Sequence, residues 1–236
     1  MHLLHWLTPT PVQAYGERTM MYVPQRDRSQ PSSLLLDLAI KSISRAREIS
    51  LEDLVVRQTS NATDYPDLWP GEHYRLLGAI VDVMRPAAVI EIGTYQGLSA
   101  LSLKKFLPPN GEMTTFDVVP WTQIGDTCLR MEDFADGRLT QKICDLANPD
   151  VFKQSHELLA SSQLIFLDGP KDGFFEKQFL KHLSEMNTIA PKVLVFDDIR
   201  TWNMLTIWRE IAFPKLDLTS FGHWTGTGLV DWNPNA

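Results

Sequence analysis

The stretch Ala88-Val-Ile-Glu-Ile-Gly-Thr-Tyr-Gln-Gly-Leu-Ser99 decides how the rest of the chain is read. A short apolar run, with Val89, Ile90 and Ile92 β-branched, carries one acid, Glu91, and passes through two glycines into a helical pattern from Leu98. A buried strand that feeds a helix through a glycine turn is the opening unit of a parallel sheet with crossover helices. Two common glycine turns do not fit. A dinucleotide fingerprint, G-x-G-x-x-G, needs glycine where Tyr95 and Leu98 stand. A G-x-S-x-G nucleophile elbow needs glycine where Leu101 stands.

Outward from this turn the pattern repeats. Apolar runs at 88–92, 113–118, 139–143, 164–167 and 193–196 predict buried strands, and segments 98–107, 126–134, 151–160 and 174–189 predict helices between them. Beyond Asp198 a helix over 203–213 precedes strand-like segments 216–220 and 228–232. Their connection is too short for a crossover, so they are expected to pair antiparallel. Towards the N-terminus, Pro9, Pro11, Pro24 and Pro31 mark residues 1–31 as an extended arm. Ser32 or Ser33 opens a helix ending near Ile49, residues 61–71 read as a linker with Pro66 and Pro70, and a helix over 72–84 is closed by Pro86. The expected fold class is α/β: a doubly wound, mostly parallel seven-stranded sheet with its last strand antiparallel, and a helical N-terminal cap. Residues 1–64 form the arm and cap, and residues 65–236 the main domain.

Composition narrows the class of function. The 236 residues are 44% hydrophobic and 22% charged, which excludes a disordered chain. With 22 Lys and Arg against 29 Asp and Glu the net charge is −7, which disfavours coating nucleic acid. No apolar run is long enough to span a membrane, and the start MHLLHWLTPTPVQ lacks the features of a signal peptide. Cys128 and Cys144 are expected to be free thiols, and the location cytoplasmic. Residues 1–60 hold 7 basic and 6 acidic residues, which leaves 15 against 23, a net −8, in residues 61–236.

That deficit has a pattern. Each expected parallel strand runs into an acid at or near its carboxyl end: Glu91, Asp117, Asp145, Asp168 and the pair Asp197–Asp198. In open parallel sheets ligands bind along this edge. Two like charges about 4 Å apart repel by roughly 4 kcal/mol at an effective dielectric near 20. The arrangement calls for a cationic ligand, a metal or both; the alternative is a solvated acidic rim.

The run from Val89 to Ala100 reads V-x-E-x-G-x-Y-x-G-x-S-A and resembles the first motif of S-adenosylmethionine-dependent methyltransferases. Within that doubly wound class it is most similar to the catechol and caffeoyl-CoA type of metal-dependent O-methyltransferase, over roughly residues 72–232. The resemblance implies that Gly93 and Gly97 let the backbone approach the methionine part of the cofactor. It places Glu91 and Ser99 at the cofactor's amino acid end, Tyr95 beside the sulfonium, and Asp117 on the ribose hydroxyls. Asp145 falls where the family contacts the adenine amino group, or else it caps the following turn.

Asp168-Gly-Pro-Lys171-Asp172 resembles the family's D-x-x-K-D run, and Asp197-Asp198 its D-N pair. The resemblance implies a divalent cation, Mg²⁺ or a similar ion, on Asp168, Asp197 and Asp198, an all-oxygen set that suits hard ions. Asp198 departs from the usual Asn, and the added charge favours Mn²⁺ or Ca²⁺ or tighter binding. Lys171 matches the lysine that deprotonates the substrate hydroxyl, with a nearby cation lowering its pKa. The alternatives are a lysine that only pairs with acids or lies on the surface.

The remaining candidates carry less. His2, His5, His73, His156, His182 and His223 show no metal-like pairing beyond His2/His5, so no zinc site is expected. His182 reads as a helix-surface residue, and Trp202, Trp208 and Trp224 as core or interface, with Trp202 able to wall the pocket. The family's loop before the last strand can border substrate, and His223 and Trp224 fall there. The expected activity is S-adenosylmethionine-dependent O-methyl transfer to a hydroxylated small molecule, assisted by a divalent cation, with no nucleic acid or membrane partner. Two alternatives stay open: a metal-independent N-, sugar or peptide methyltransferase, and a non-catalytic S-adenosylmethionine-binding protein. Members of this group often dimerise, so a homodimer is a further expectation.

Overall fold

The computed structural model describes residues 30–58, 65–186 and 190–233. The expected N-terminal arm, save its last two residues, and part of the expected linker lie outside the described residues. The elements are α1 (Ser33–Ala46), α2 (Glu52–Val55), α3 (Tyr74–Met84), β1 (Ala88–Ile92), α4 (Leu98–Lys105), β2 (Glu112–Asp117), β3 (Leu139–Ile143), α5 (Pro149–Gln154), α6 (His156–Ser161), β4 (Leu164–Leu167), α7 (Phe175–Ser184), β5 (Lys192–Asp197), α8 (Met204–Glu210), β6 (Lys215–Asp217) and β7 (Thr227–Trp232).

The described strands form one seven-stranded sheet in the order β3-β2-β1-β4-β5-β7-β6. The first five run parallel, β7 pairs antiparallel with β5, and β6 antiparallel with β7, as the short connection requires. Alternation along the strands divides the core in two. Val89, Leu164, Phe166, Val193 and Val195 meet Leu35, Leu76, Leu77 and Leu98 on the face covered by α1, α3 and α4. Ile90, Ile165, Leu167, Leu194 and Phe196 meet Phe152, Leu159, Phe179 and Ile207 on the face covered by α5 to α8. Both faces are covered, which is why the central strands read as continuous apolar runs instead of alternating ones.

The cap belongs to the same core. Ser32 caps α1 by accepting from the backbone N–H of Leu35, and its hydroxyl donates to Asp231 at 2.6 Å, tying the helix to β7. The apolar stripe Leu35, Leu38, Ala39 then packs on α3. Lys192, buried at the start of β5, donates to the carbonyls of Leu159, Ala160 and Ser162, where α6 ends with unpaired acceptors.

Several sequence expectations change. Segment 126–134 is no helix: it holds an extended stretch and a 3-10 turn, Met131–Phe134, after another at Trp121–Gln123. Tertiary contacts hold it open. The N–H of Cys128 donates to the carbonyl of Gln96 at 2.8 Å, and Asp133 accepts from Arg57 at 2.8 Å and from the N–H of Arg130 at 2.7 Å. The helix expected over 151–160 breaks at Ser155 into α5 and α6. His182 is not a surface residue: its ring packs against Phe152, with Nε2 3.1 Å from the carbonyl of Ala147. Trp208 is core, as one of the two readings had it; Trp202 and Trp224 are 76% and 71% exposed and so not core, and Trp202 does not line the cavity described below. No helix among the described residues is long and apolar enough to cross a membrane.

Candidate active site

The carboxyl ends of the strands open into a cavity of about 600 Å³. Its floor is the glycine turn. Gly93 has φ +97°, and a Cβ there would fall 2.0 Å from the carbonyl oxygen of Asp168; Gly97 has φ +83°, and a Cβ there would fall 2.3 Å from the Leu129 side chain. Both glycines are therefore demanded by close packing inside the chain, before any ligand is considered. Asp117 fastens the same turn: Oδ2 accepts from the N–H groups of Thr94 at 2.9 Å and Tyr95 at 3.0 Å, and Oδ1 accepts from Val119 at 3.0 Å.

Five of the six strand-end acids line the cavity: Asp117, Asp145, Asp168, Asp197 and Asp198. Gly93, Tyr95 and Lys171 line it with them. Asp145 also accepts from the N–H of Ala147 at 2.8 Å, while Asn148 caps α5, so the turn role and the cavity position coexist. Glu91, Gly97 and Ser99 are not among the lining residues. Glu91 is the penultimate residue of β1, fully buried between Thr115 and Phe166, and neither carboxylate oxygen has a hydrogen-bond partner among the described residues. Burial pushes its pKa up to about 8, against a smaller opposing influence of the Ser99 and Thr115 hydroxyls. Those hydroxyls lie near it without closing a bond of good geometry.

At the other end of the cavity three carboxylates gather around one ammonium. Lys171 Nζ contacts Asp168, lies 2.7 Å from Asp198 Oδ2 and 3.6 Å from Asp197 Oδ2. Burial works against the charged lysine, but the charges of Asp168 and Asp197 and hydrogen bonds to Asp168 and Asp198 outweigh it, so its pKa is raised. In the chain by itself the shift thus runs opposite to the lowering expected beside a cation. Burial lifts Asp168 to about 6, with repulsion from Asp197 adding and Lys171 opposing. For Asp197 and Asp198 burial is overcome, chiefly by His73 and His223 at the first and by His223 at the second, and both are held below the ordinary carboxylate range. Burial disfavours the His223 imidazolium, yet hydrogen bonds to Asp197 and Asp198 raise its pKa to about 10.

Two histidines without any pairing along the chain come together here. His73, just before α3, and His223, before β7, both reach Asp197, at 3.2 and 3.1 Å. Glu72 stands 3.5 Å from the far nitrogen of His223. No local spacing announces this group, because its members come from opposite ends of the domain. Backbone strain marks the same region. Tyr95, Lys171 and Asp198, with Trp202 nearby in sequence, are four of the five non-glycine residues with positive φ among those described. Such conformations cost about 1–3 kcal/mol each and concentrate at functional sites.

Fold and site together define a doubly wound domain with a carboxylate-lined crevice at its strand ends. The model of a family described as O-methyltransferase matches residues 41–203, and the chain belongs to that family. Catechol O-methyltransferase of Mus musculus is 27% identical over 108 residues, which is 45% of this chain and 40% of the mouse protein. Among solved structures, an SAH-bound methyltransferase of Podospora anserina superposes with a TM-score of 0.51 at 17% identity, covering 94% of each chain. An O-methyltransferase of Bacillus cereus in complex with SAH gives 0.51 at 15% identity, covering 80% of this chain and 90% of that one. At these identities the structural likeness speaks for the fold.

Proposed function

We propose that this chain transfers a methyl group from S-adenosylmethionine to a hydroxyl oxygen of a small molecule, with a divalent cation held by Asp168, Asp197 and Asp198. The observation that carries the reading is the placing of the Lys171 ammonium among those three carboxylates, in one cavity with the Asp117-braced glycine turn. The residues fit both groups. A positive charge already stands where a cation would bind, in an all-oxygen set that suits a hard ion. The other end joins Asp117 and Asp145 to the apolar walls of Phe116 and Leu146, a combination that suits a nucleoside.

When bound, S-adenosylmethionine supplies an electrophilic methyl on sulfur, and a divalent cation makes a hydroxyl more acidic. The chain supplies the positioning. Asp117, held rigid by three backbone N–H groups, keeps lone pairs free for ribose hydroxyls. The strand-end carboxylates attract the sulfonium. Lys171 holds its proton at Nζ as long as it is the counter-ion of the cluster. It can take a proton from the acceptor only after the carboxylates trade its charge for another.

One observation favours the metal-independent alternative: Lys171 and His223 already offset much of the cluster's negative charge. Calorimetry with S-adenosylmethionine, followed by a panel of catechols, phenols and sugar hydroxyls with Mg²⁺ or with EDTA, separates the readings. Methyl transfer that EDTA abolishes and Mg²⁺ restores is expected. Transfer indifferent to EDTA removes the cation from the mechanism, and failure to bind S-adenosylmethionine overturns the whole reading.

A further inference from the structure

The two oxygens of Asp197 serve different neighbours. Oδ2 faces the Lys171 side, where Asp168 and Asp198 lie. Oδ1 faces two imidazoles, 3.2 Å from Nδ1 of His73 and 3.1 Å from Nδ1 of His223. The rings meet edge to face with centroids 5.0 Å apart, and one ligand atom from each of the three residues falls within 4.8 Å of the others. His73 is 4% exposed; its Nδ1 meets Asp197 Oδ1 as an ion-pair contact without good hydrogen-bond geometry, and its Nε2 has no hydrogen-bond partner among the described residues. A buried imidazole without a hydrogen-bond partner is an unspent ligand. Here it is aimed at a carboxylate oxygen that a second imidazole shares. His223 also contacts Thr225 Oγ1 at 2.6 Å and lies 3.6 Å from Asp198 Oδ1, and Glu72 Oε2 is 3.5 Å from its Nε2.

We propose that His73, His223 and Oδ1 of Asp197 form a second cation site, back to back with the all-carboxylate set, for a borderline divalent ion of the Zn²⁺ or Co²⁺ kind. Mg²⁺ prefers oxygen ligands in an octahedron and keeps several waters, whereas imidazole nitrogens select Zn²⁺ and Co²⁺. Asp197 would then bridge two sites of different chemistry, with Glu72 beside the far nitrogen of His223, where it can orient that imidazole. Only the placing of this ion beside a methyl acceptor rests on the methyltransferase reading; the site itself does not.

The test uses the full chain, freed of metal with a chelator and titrated with Co²⁺ in excess Mg²⁺, followed by visible absorption and calorimetry. The expected result is Co²⁺ uptake that Mg²⁺ does not suppress, with the spectrum of nitrogen-ligated cobalt and displacement by Zn²⁺. His223→Gln, on an accessible loop, is expected to weaken uptake by at least about tenfold, and Asp168→Asn to leave it in place. The buried His73→Gln serves as a second variant if its circular dichroism matches that of the parent chain. No Co²⁺ uptake in the presence of Mg²⁺ overturns the proposal. So does uptake lost in Asp168→Asn and indifferent to His223→Gln, which would reduce the imidazoles to counter-ions of Asp197. A chain that binds S-adenosylhomocysteine but fails this test keeps its proposed function and loses the second site; one that passes without binding it does the reverse.

Discussion

Replacing Glu91 with glutamine removes an acid whose ionised form the sheet solvates poorly. Glu91 is 0% exposed and both its oxygens lack hydrogen-bond partners among the described residues. Its pKa rises from an ordinary 4.5 to about 8. Between those values the folded chain keeps a proton that the unfolded chain releases, so stability falls as pH rises, by about 1.4 kcal/mol per pH unit. Above pH 8 the loss levels off at no more than about 5 kcal/mol, a large share of the roughly 5–15 kcal/mol that holds a domain together. Glutamine has the same shape and does not ionise. Urea unfolding of parent and Glu91→Gln chains at pH values between about 5 and about 9 isolates the effect, because every other titrating group is common to both. The variant is expected to gain on the parent steadily up to pH 8 and then to hold its lead. Parallel curves would refute the reasoning. Saturating S-adenosylmethionine adds a second reading: the structure keeps Glu91 out of the cavity, so ligand should raise both curves alike. A ligand that flattens only the parent's pH dependence would show that the cofactor's ammonium reaches Glu91 after all.

Three further perturbations test other parts of the site. Gly93→Ala forces a Cβ against the Asp168 carbonyl at a positive φ. It should cost about 3 kcal/mol, at the upper end for overpacking, and a urea midpoint equal to the parent's would count against it. Asp117→Asn removes the charge offered to ribose hydroxyls, each charged bond contributing about 1.5–3 kcal/mol. Calorimetry should show S-adenosylmethionine binding weakened by roughly tenfold or more, and unchanged affinity would place the ribose elsewhere. Lys171→Ala should lower turnover by about a hundredfold to ten-thousandfold, the range for losing a general base, with S-adenosylmethionine affinity retained. Full turnover in this variant would leave Lys171 as a counter-ion only.

How much of this was legible beforehand differs by element. The strands were, because Val89 to Ile92, Leu164 to Leu167 and Val193 to Phe196 are mostly apolar runs buried on both faces, too short for helices and separated by segments of helical length. The glycine turn was too, since φ of +97° and +83° at Gly93 and Gly97 excludes most other residues. Segment 126–134 was not. It has helical length, but Gln96 and Arg57, distant in sequence, hold it as an extended stretch ending in a 3-10 turn.

The amino-acid sequence by itself determined that these strands exist and in what order, with ends good to within three residues (216–220 expected, Lys215–Asp217 observed), and that acids stand at or near the carboxyl ends of the parallel ones, because both follow from local periodicity and local conformation. Only the tertiary structure decided which of those acids face one another. Strand order set β4 beside β5, so Asp168 meets Asp197 and Asp198 around Lys171. Chain folding brought His73 and His223 onto the far oxygen of the same carboxylate. One strand away, the register of β1 placed Glu91 between Thr115 and Phe166, where its side chain is fully buried. Spacing along the chain carries no trace of such meetings, since they depend on which strands become neighbours and which face each side chain takes.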